Sequence, residues 1–238
     1  MVATRTIIGI VGNFISCGLF LSQIPTFWKI IKRKDVEDFS PNPALATILN
    51  CAMWVFYGLP FVHPNSTLVW TINGIGLVIE AAYIIIYLIY ANQKSKRNWV
   101  YMVLLGELVA VAAIVAGVLL GAHGTTRRTL VVGIICILLN ICMYAMPLDN
   151  ALTVLRTKSV EYMTLSLLVA NLCNGSIWTA YGFLPFDVNL VVCNGIGALL
   201  GAAQVILYFY ISCSYPQGKK AGNEVEMATA DAKIRPDV

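Results

Sequence analysis

Two tryptophans and two asparagines are the residues of this 238-residue chain best placed to do chemistry. Trp54 precedes Asn73 and Trp178 precedes Asn194 in the same local company, N-x-x-x-W-x-x-Y-G followed by N-G-I-G. An asparagine amide offers two donors and a two-lone-pair acceptor without charge, so it replaces water around a hydroxyl group. An indole adds a flat apolar face for C–H groups and one N–H donor. Together they suit a neutral polyol, whereas a charged site would cost more to bury. The competing role for all four is helix packing, with Asn-Gly permitting close backbone approach.

The elements that must hold these residues are membrane helices. The chain is 58% hydrophobic and only 12% charged, far from the balance of a soluble domain. That excludes an ordinary cytosolic enzyme, a disordered chain and a disulfide-rich module. With a net charge of +4 and scattered basic residues, the chain also lacks the footprint of a nucleic-acid binder. Its seven cysteines are odd in number, form no CxxC and lie in or beside apolar runs, as packing thiols do. The first apolar run continues to about Trp28, too long for a signal-peptide core.

A spanning helix needs ~20 mostly apolar residues, because lipid satisfies no backbone amide. Seven such runs are expected, at roughly 7–31, 43–62, 67–91, 99–121, 129–155, 165–185 and 189–213. Thirteen of the sixteen Lys and Arg residues fall on loops one, three and five, on the adjoining end of the first run, or in the tail. The positive-inside rule therefore places that face and the C-terminus in the cytoplasm, and the N-terminus outside or in a lumen. Trp28 and Trp99 sit at the cytoplasmic ends as interfacial anchors. The polar tail after Tyr215 is expected to be disordered.

An internal repeat organises the runs. A shift of 124 residues aligns 16–58 with 140–182 without a gap, setting Gln23 on Pro147, Trp54 on Trp178 and Tyr57 on Tyr181. With a small slip, 73–76 matches 194–197. Three spans reverse direction and a fourth restores it, so the two copies point the same way, about an axis along the membrane normal. The expected architecture is all-α: a first three-helix repeat at 1–92, a linker helix at 93–125, a second repeat at 126–213 and the tail at 214–238. Trp54 lies eleven residues into the second run, about 16 Å deep at ~1.5 Å per residue, near mid-membrane.

This 3+1+3 arrangement resembles the SWEET family of sugar transporters of plants and animals. The resemblance rests on T-K-S-V-E-Y-M at 157–163, M-Y-A-x-P-L at 143–148, L-V-x-T-I-N-G at 68–74 and W-x-x-Y-G in both halves, and it covers about residues 5–213. It implies facilitated, bidirectional movement of a mono- or disaccharide through the bilayer. It also implies that Trp54, Asn73, Trp178 and Asn194 contact the sugar. Two tryptophans at facing positions leave less room than small residues would, which favours a hexose such as glucose over sucrose.

The same resemblance places hinges at Gln23, Pro43, Pro147 and Thr164, four positions that usually carry proline. Only two do so here, and Pro25 is a candidate for the kink of the first helix. A static kink is the competing role. By resemblance too, a Tyr57–Asp187 hydrogen bond closes an outer gate, with Asp187 at the end of the sixth helix and Tyr181 as the second-copy equivalent of Tyr57. The competing roles there are an interfacial tyrosine and a solvated aspartate.

Glu80 and Glu107 are the acidic residues deep in the expected spans. Intramembrane carboxylates point to a proton relay, but neither has a cationic partner in its own span, so a uniporter is preferred over a proton-coupled symporter. No Lys in the last span offers a Schiff base, which argues against a retinal protein, and the duplication argues against a receptor. No HExxH, GxSxG or paired intramembrane Asp indicates an enzyme. A carrier of another neutral solute remains an alternative. No cofactor or metal is implied, since His63 and His123 are far apart in sequence, and small-residue faces leave room for a homo-oligomer of no specified number.

Overall fold

The structure, a computed structural model, describes residues 2–161 and 163–215; the tail expected to be disordered lies outside the described residues. The described residues form nine helices: α1 (Val2–Leu21), α2 (Ile24–Arg33), α3 (Asn42–Gly58), α4 (Thr67–Tyr90), α5 (Lys94–Gly121), α6 (Thr125–Met143), α7 (Ala145–Thr157), α8 (Leu165–Gly182) and α9 (Val188–Ser214). They make seven crossings, because α1 continues into α2 and α6 into α7. The expected first and fifth runs are thus each broken once. Pro25 has no N–H to give the Leu21 carbonyl, and Pro147 has none for the Met143 carbonyl. The helices stop at those two residues.

Five helices or helix pairs are long and apolar enough to cross a membrane on those grounds alone. The exceptions, α3 and α8, have 17 and 18 residues, at the lower limit for a span. The expected runs 43–62 and 165–185 overshoot them, since the chain leaves the helix at Leu59 and Phe183. Large apolar side chains cover the outside, among them Phe14, Leu105, Leu108 and Leu120. Such a girdle is stable only against lipid.

The duplication is visible in the backbone. Lys34 ends α2 and Lys158 ends α7, both in the left-handed region at φ 53°, and the two are 124 residues apart. In each copy the third helix lies between the first and second: α4 packs on α1 and α3, and α9 on α6 and α8. The copies meet along two seams, α1 against α8 and α3 against α6, while α5 lies beside α3 and α6.

Packing differs sharply between the two ends. Toward the 59–66 and 183–187 turns, one core draws on both copies and α5: Met53, Tyr57, Val69, Val118, Cys136, Trp178, Leu190 and their neighbours. Toward the Lys-rich loops the core divides. Phe27, Ile30, Leu45, Tyr83 and Tyr87 of the first copy form one cluster with Val100 of α5. Val154, Met163, Leu168 and Ile211 form another within the second. The copies are sealed together at one end and separate at the other.

Candidate functional site

Between the copies lies a cavity of about 320 Å3, at the small end of ligand sites. Trp54 on α3, Asn73 on α4, Trp178 on α8 and Asn194 on α9 all line it. Their contacts repeat across the pseudo-symmetry. Asn73 Nδ2 donates to the Val69 carbonyl at 2.8 Å, and Asn194 Nδ2 to the Leu190 carbonyl at 3.0 Å. Each amide is thereby steadied on its own helix, with one N–H and its oxygen left for a ligand. Trp54 and Trp178 meet Tyr57 and Tyr181 edge to face, with centroids 5.2 Å apart in both copies.

The indole N–H groups are committed elsewhere. Trp54 Nε1 donates to Asn140 Oδ1 at 3.1 Å, and Trp178 Nε1 to Ser16 Oγ at 2.9 Å. Ser16 Oγ donates in turn to Asn174 Oδ1 at 2.6 Å. A buried N–H needs a partner, so in this arrangement the indoles offer the cavity their faces rather than the donor expected from sequence. Ser16 and Asn140 are a repeat pair, as are Asn50 and Asn174, and all four line the cavity. In the sequence, 50 and 174 figured only as the leading asparagine of the N-x-x-x-W-x-x-Y-G motif. Polarity retained at matched positions was the signal that marked them as site residues.

The N-G-I-G motif also divides its labour differently. A Cβ on Gly74 or Gly195 would meet open space or a single atom at 4.0 Å. One on Gly76 would lie 2.5 Å from the Phe20 ring, and one on Gly197 2.6 Å from the Tyr144 hydroxyl. The close approach therefore belongs to the second glycine, and the contacting aromatics, 20 and 144, are again repeat mates.

Above the cavity, Tyr57 Oη donates to the Asp187 carboxylate, 2.9 Å from both oxygens. Asp187 does not end the sixth crossing as expected but caps α9, accepting from the backbone N–H of Asn189 and Leu190. Helix-terminal N–H groups favour its negative charge. His63 stacks on Tyr57 at 4.9 Å, with Nε2 3.5 Å from Asp187. Burial pushes the His63 imidazole below its ordinary value, and Arg5 adds to that against the pull of Asp187. Tyr181 has a different companion, the Arg5 guanidinium 4.3 Å above its ring. Neither Arg5 nor His63 stood out in the sequence as part of this layer, because both lie outside the aligned stretches 16–58 and 73–76.

At the other end the four expected hinge residues sit at helix boundaries. Gln23 is in the α1–α2 break, Pro43 in the first turn of α3, and Thr164 immediately before α8. Pro147 is in the first turn of α7, and its side chain lies outside the described ones. In a first turn the missing N–H costs nothing, so Pro43 starts a helix instead of kinking one. Glu80 has the partner its own span lacks: Gln23 Nε2 donates to its Oε1 at 2.7 Å. Glu107 borders a separate apolar crevice beside α5. Among the described residues no cluster of His, Cys, Asp or Glu is disposed to hold a metal, and the cysteines are free thiols.

The family described as "Sugar efflux transporter for intercellular exchange" matches the chain twice, at residues 6–95 and 130–215. The chain belongs to the SWEET family. Its likeness to rice SWEET7b, a bidirectional sugar transporter, is 51% identity over 94% of this chain and 84% of that one. Arabidopsis SWEET7, of the same description, is 48% identical over 86% of this chain and 79% of its own length. A solved eukaryotic SWEET transporter superposes with a TM-score of 0.84 at 34% identity, covering 89% of this chain and 98% of that one. The chain is thus an integral, multi-pass membrane protein of the 3+1+3 fold, in a family of sugar transporters and not of enzymes.

Proposed function

We propose that this SWEET protein is a facilitative, bidirectional uniporter that carries a hexose such as glucose by alternating access. One observation supports this most: four repeat-related, uncharged side chains, two amides and two indoles, converge on one cavity at the seam between the copies. The free amide groups of Asn73 and Asn194 replace water around sugar hydroxyls, and the faces of Trp54 and Trp178 receive the C–H surface of the ring. The small cavity volume favours one sugar ring over two.

The cycle follows from the packing. The seal built on Tyr57, Asp187 and the shared core loosens as the separate cores near Gln23, Pro43, Pro147 and Thr164 close together. Tyr181 moves with the seal as Tyr57 does. Residues 1–92 and 126–213 are the rocking units and 93–125 joins them. The Lys-rich end faces the cytoplasm of a plasma or vacuolar membrane, and the N-terminus faces outside or the lumen.

Purified protein in liposomes tests this with labelled glucose beside sucrose. Glucose uptake is expected, falling at least tenfold in Asn73→Ala and Asn194→Ala, since each removes the hydrogen bonds its amide offers to sugar, at about 0.5–1.5 kcal/mol apiece. Sucrose uptake without glucose uptake would refute the hexose assignment. Pro43→Ala and Pro147→Ala are expected to cut flux while the amount of folded carrier holds.

A further inference from the structure

We propose that Glu80 and Gln23 form a second, one-sided sugar subsite in the same chamber, displaced from the amide layer toward the Lys-rich end. The inference rests on the sugar-uniporter reading. Glu80 follows Asn73 by seven residues on α4, nearly two full turns, so it shares that face about 10 Å further along the path. Its side chain is fully buried and lines the chamber together with Gln23.

Only half of the carboxyl is engaged. Oε1 accepts from Gln23 Nε2, and Oε2 is buried without a hydrogen-bond partner among the described residues. The Oδ1 of Asn50, which lines the same chamber, is likewise buried and unpartnered. Gln23 keeps a second amide hydrogen and its carbonyl oxygen for a ligand. Buried polar atoms in a folded chain are nearly always paired, so two that are left over on the wall of one chamber call for a partner inside it, water or a ligand. Acceptors in excess, beside one free amide donor, fit a molecule rich in hydroxyl groups. They fit an anion poorly.

The backbone explains why Gln23 is free to serve. It sits in the interruption between α1 and α2, where its carbonyl receives the N–H of Thr26 and of Phe27 and starts the new helix. Its side chain is therefore set by Glu80 across the chamber wall. The second copy carries no such pair: position 201, the repeat mate of 80, is a glycine packed on Leu172, and position 147, the mate of 23, is a proline. The amide layer is symmetric and cannot tell one end of a pyranose from the other. This subsite lies on the first copy alone, so it selects particular hydroxyls as the sugar passes.

Liposome uptake of glucose and a series of monodeoxyglucoses tests the assignment. The wild-type protein is expected to discriminate against at least one deoxy analogue by about three- to tenfold, the worth of one hydrogen bond. Glu80→Leu and Gln23→Leu are expected to erase that preference and raise the KM for glucose. Glu80→Gln, which keeps the shape and a hydrogen-bonding group, is expected to retain most of it. It also guards against Glu80→Leu failing to fold, as does Gln23→Leu. Wild-type uptake with the same analogue preference in Glu80→Leu and Gln23→Leu would overturn the subsite alone. A wild-type requirement for Na+ or a proton gradient that vanishes in Glu80→Gln would also overturn it, assigning the carboxyl to cation coupling. Absence of any sugar uptake by the wild-type protein would overturn the transport reading and the subsite with it.

Discussion

At the level of single residues, the layer above the chamber is chemically lopsided. Tyr57 is held by Asp187, Asn189 and His63, whereas its repeat mate Tyr181 lies under Arg5. The partly buried His63 takes up a proton less readily than a free imidazole, whose ordinary value is 6.5. A state that releases His63 therefore gains a proton below that pH and the packed state does not. The contacts of this layer are therefore expected to be at full strength above about pH 6.5 and to weaken as the pH falls below it. Thermal stability of the purified protein is expected to drop between pH 7.5 and 5.5, and to drop less in His63→Gln; equal drops in both would remove His63 from the account. Sequence alone exposed Trp54, Asn73, Trp178 and Asn194, because duplication printed them twice. It hid the roles of Arg5 and His63 and the Gln23–Glu80 pairing, which rest on contacts with Tyr181, Asp187 and Glu80, far away in the chain.

Among the elements, the seven crossings were readable from hydrophobic runs, since lipid imposes a length on every span. The interruptions were harder to place. Gln23 occupies the aligned hinge position, yet the helix stops four residues before Pro25, where the missing donor would have bonded. Hydropathy is blind to that hydrogen bond. Packing of α4 on α1 and of α9 on the α6–α7 junction depends on Gly76 and Gly197, whose absent Cβ atoms admit Phe20 and Tyr144. Gly76→Ala and Gly197→Ala are each expected to cost about 1–3 kcal/mol by overpacking. Gly74→Ala and Gly195→Ala, at open positions, are expected to stay within about 1 kcal/mol of wild type. Denaturation midpoints of the four variants in one detergent measure the contrast, and equal shifts would refute it.

For the molecule as a whole, one core unites the copies at the Asp187 end and two cores divide them at the other. A duplicated sequence predicts the symmetry of the bundle but carries no sign for which end closes. Arg5, His63 and Asp187 lie at the united end, outside the matched stretches of the repeat, so the state was not legible from the repeat. Glu80, the carboxylate that lines the chamber, is partnered by a neutral amide and not by a cation. Sugar is expected to equilibrate across liposome membranes at the same level with or without an imposed pH gradient. Accumulation beyond equilibrium under that gradient would reverse the uniport assignment.

The bonds from Trp54 to Asn140 and from Trp178 to Ser16 run from each copy into the other. Neither half thus owns the complete support of its own indole. After duplication, the two halves were not free to drift separately: a change at 16 is felt at 178, and one at 140 is felt at 54. Substitutions at these positions should therefore be compensated in partners that sit in opposite halves of the chain. A transplanted half from a relative would need its matching serine or asparagine carried over in the other half.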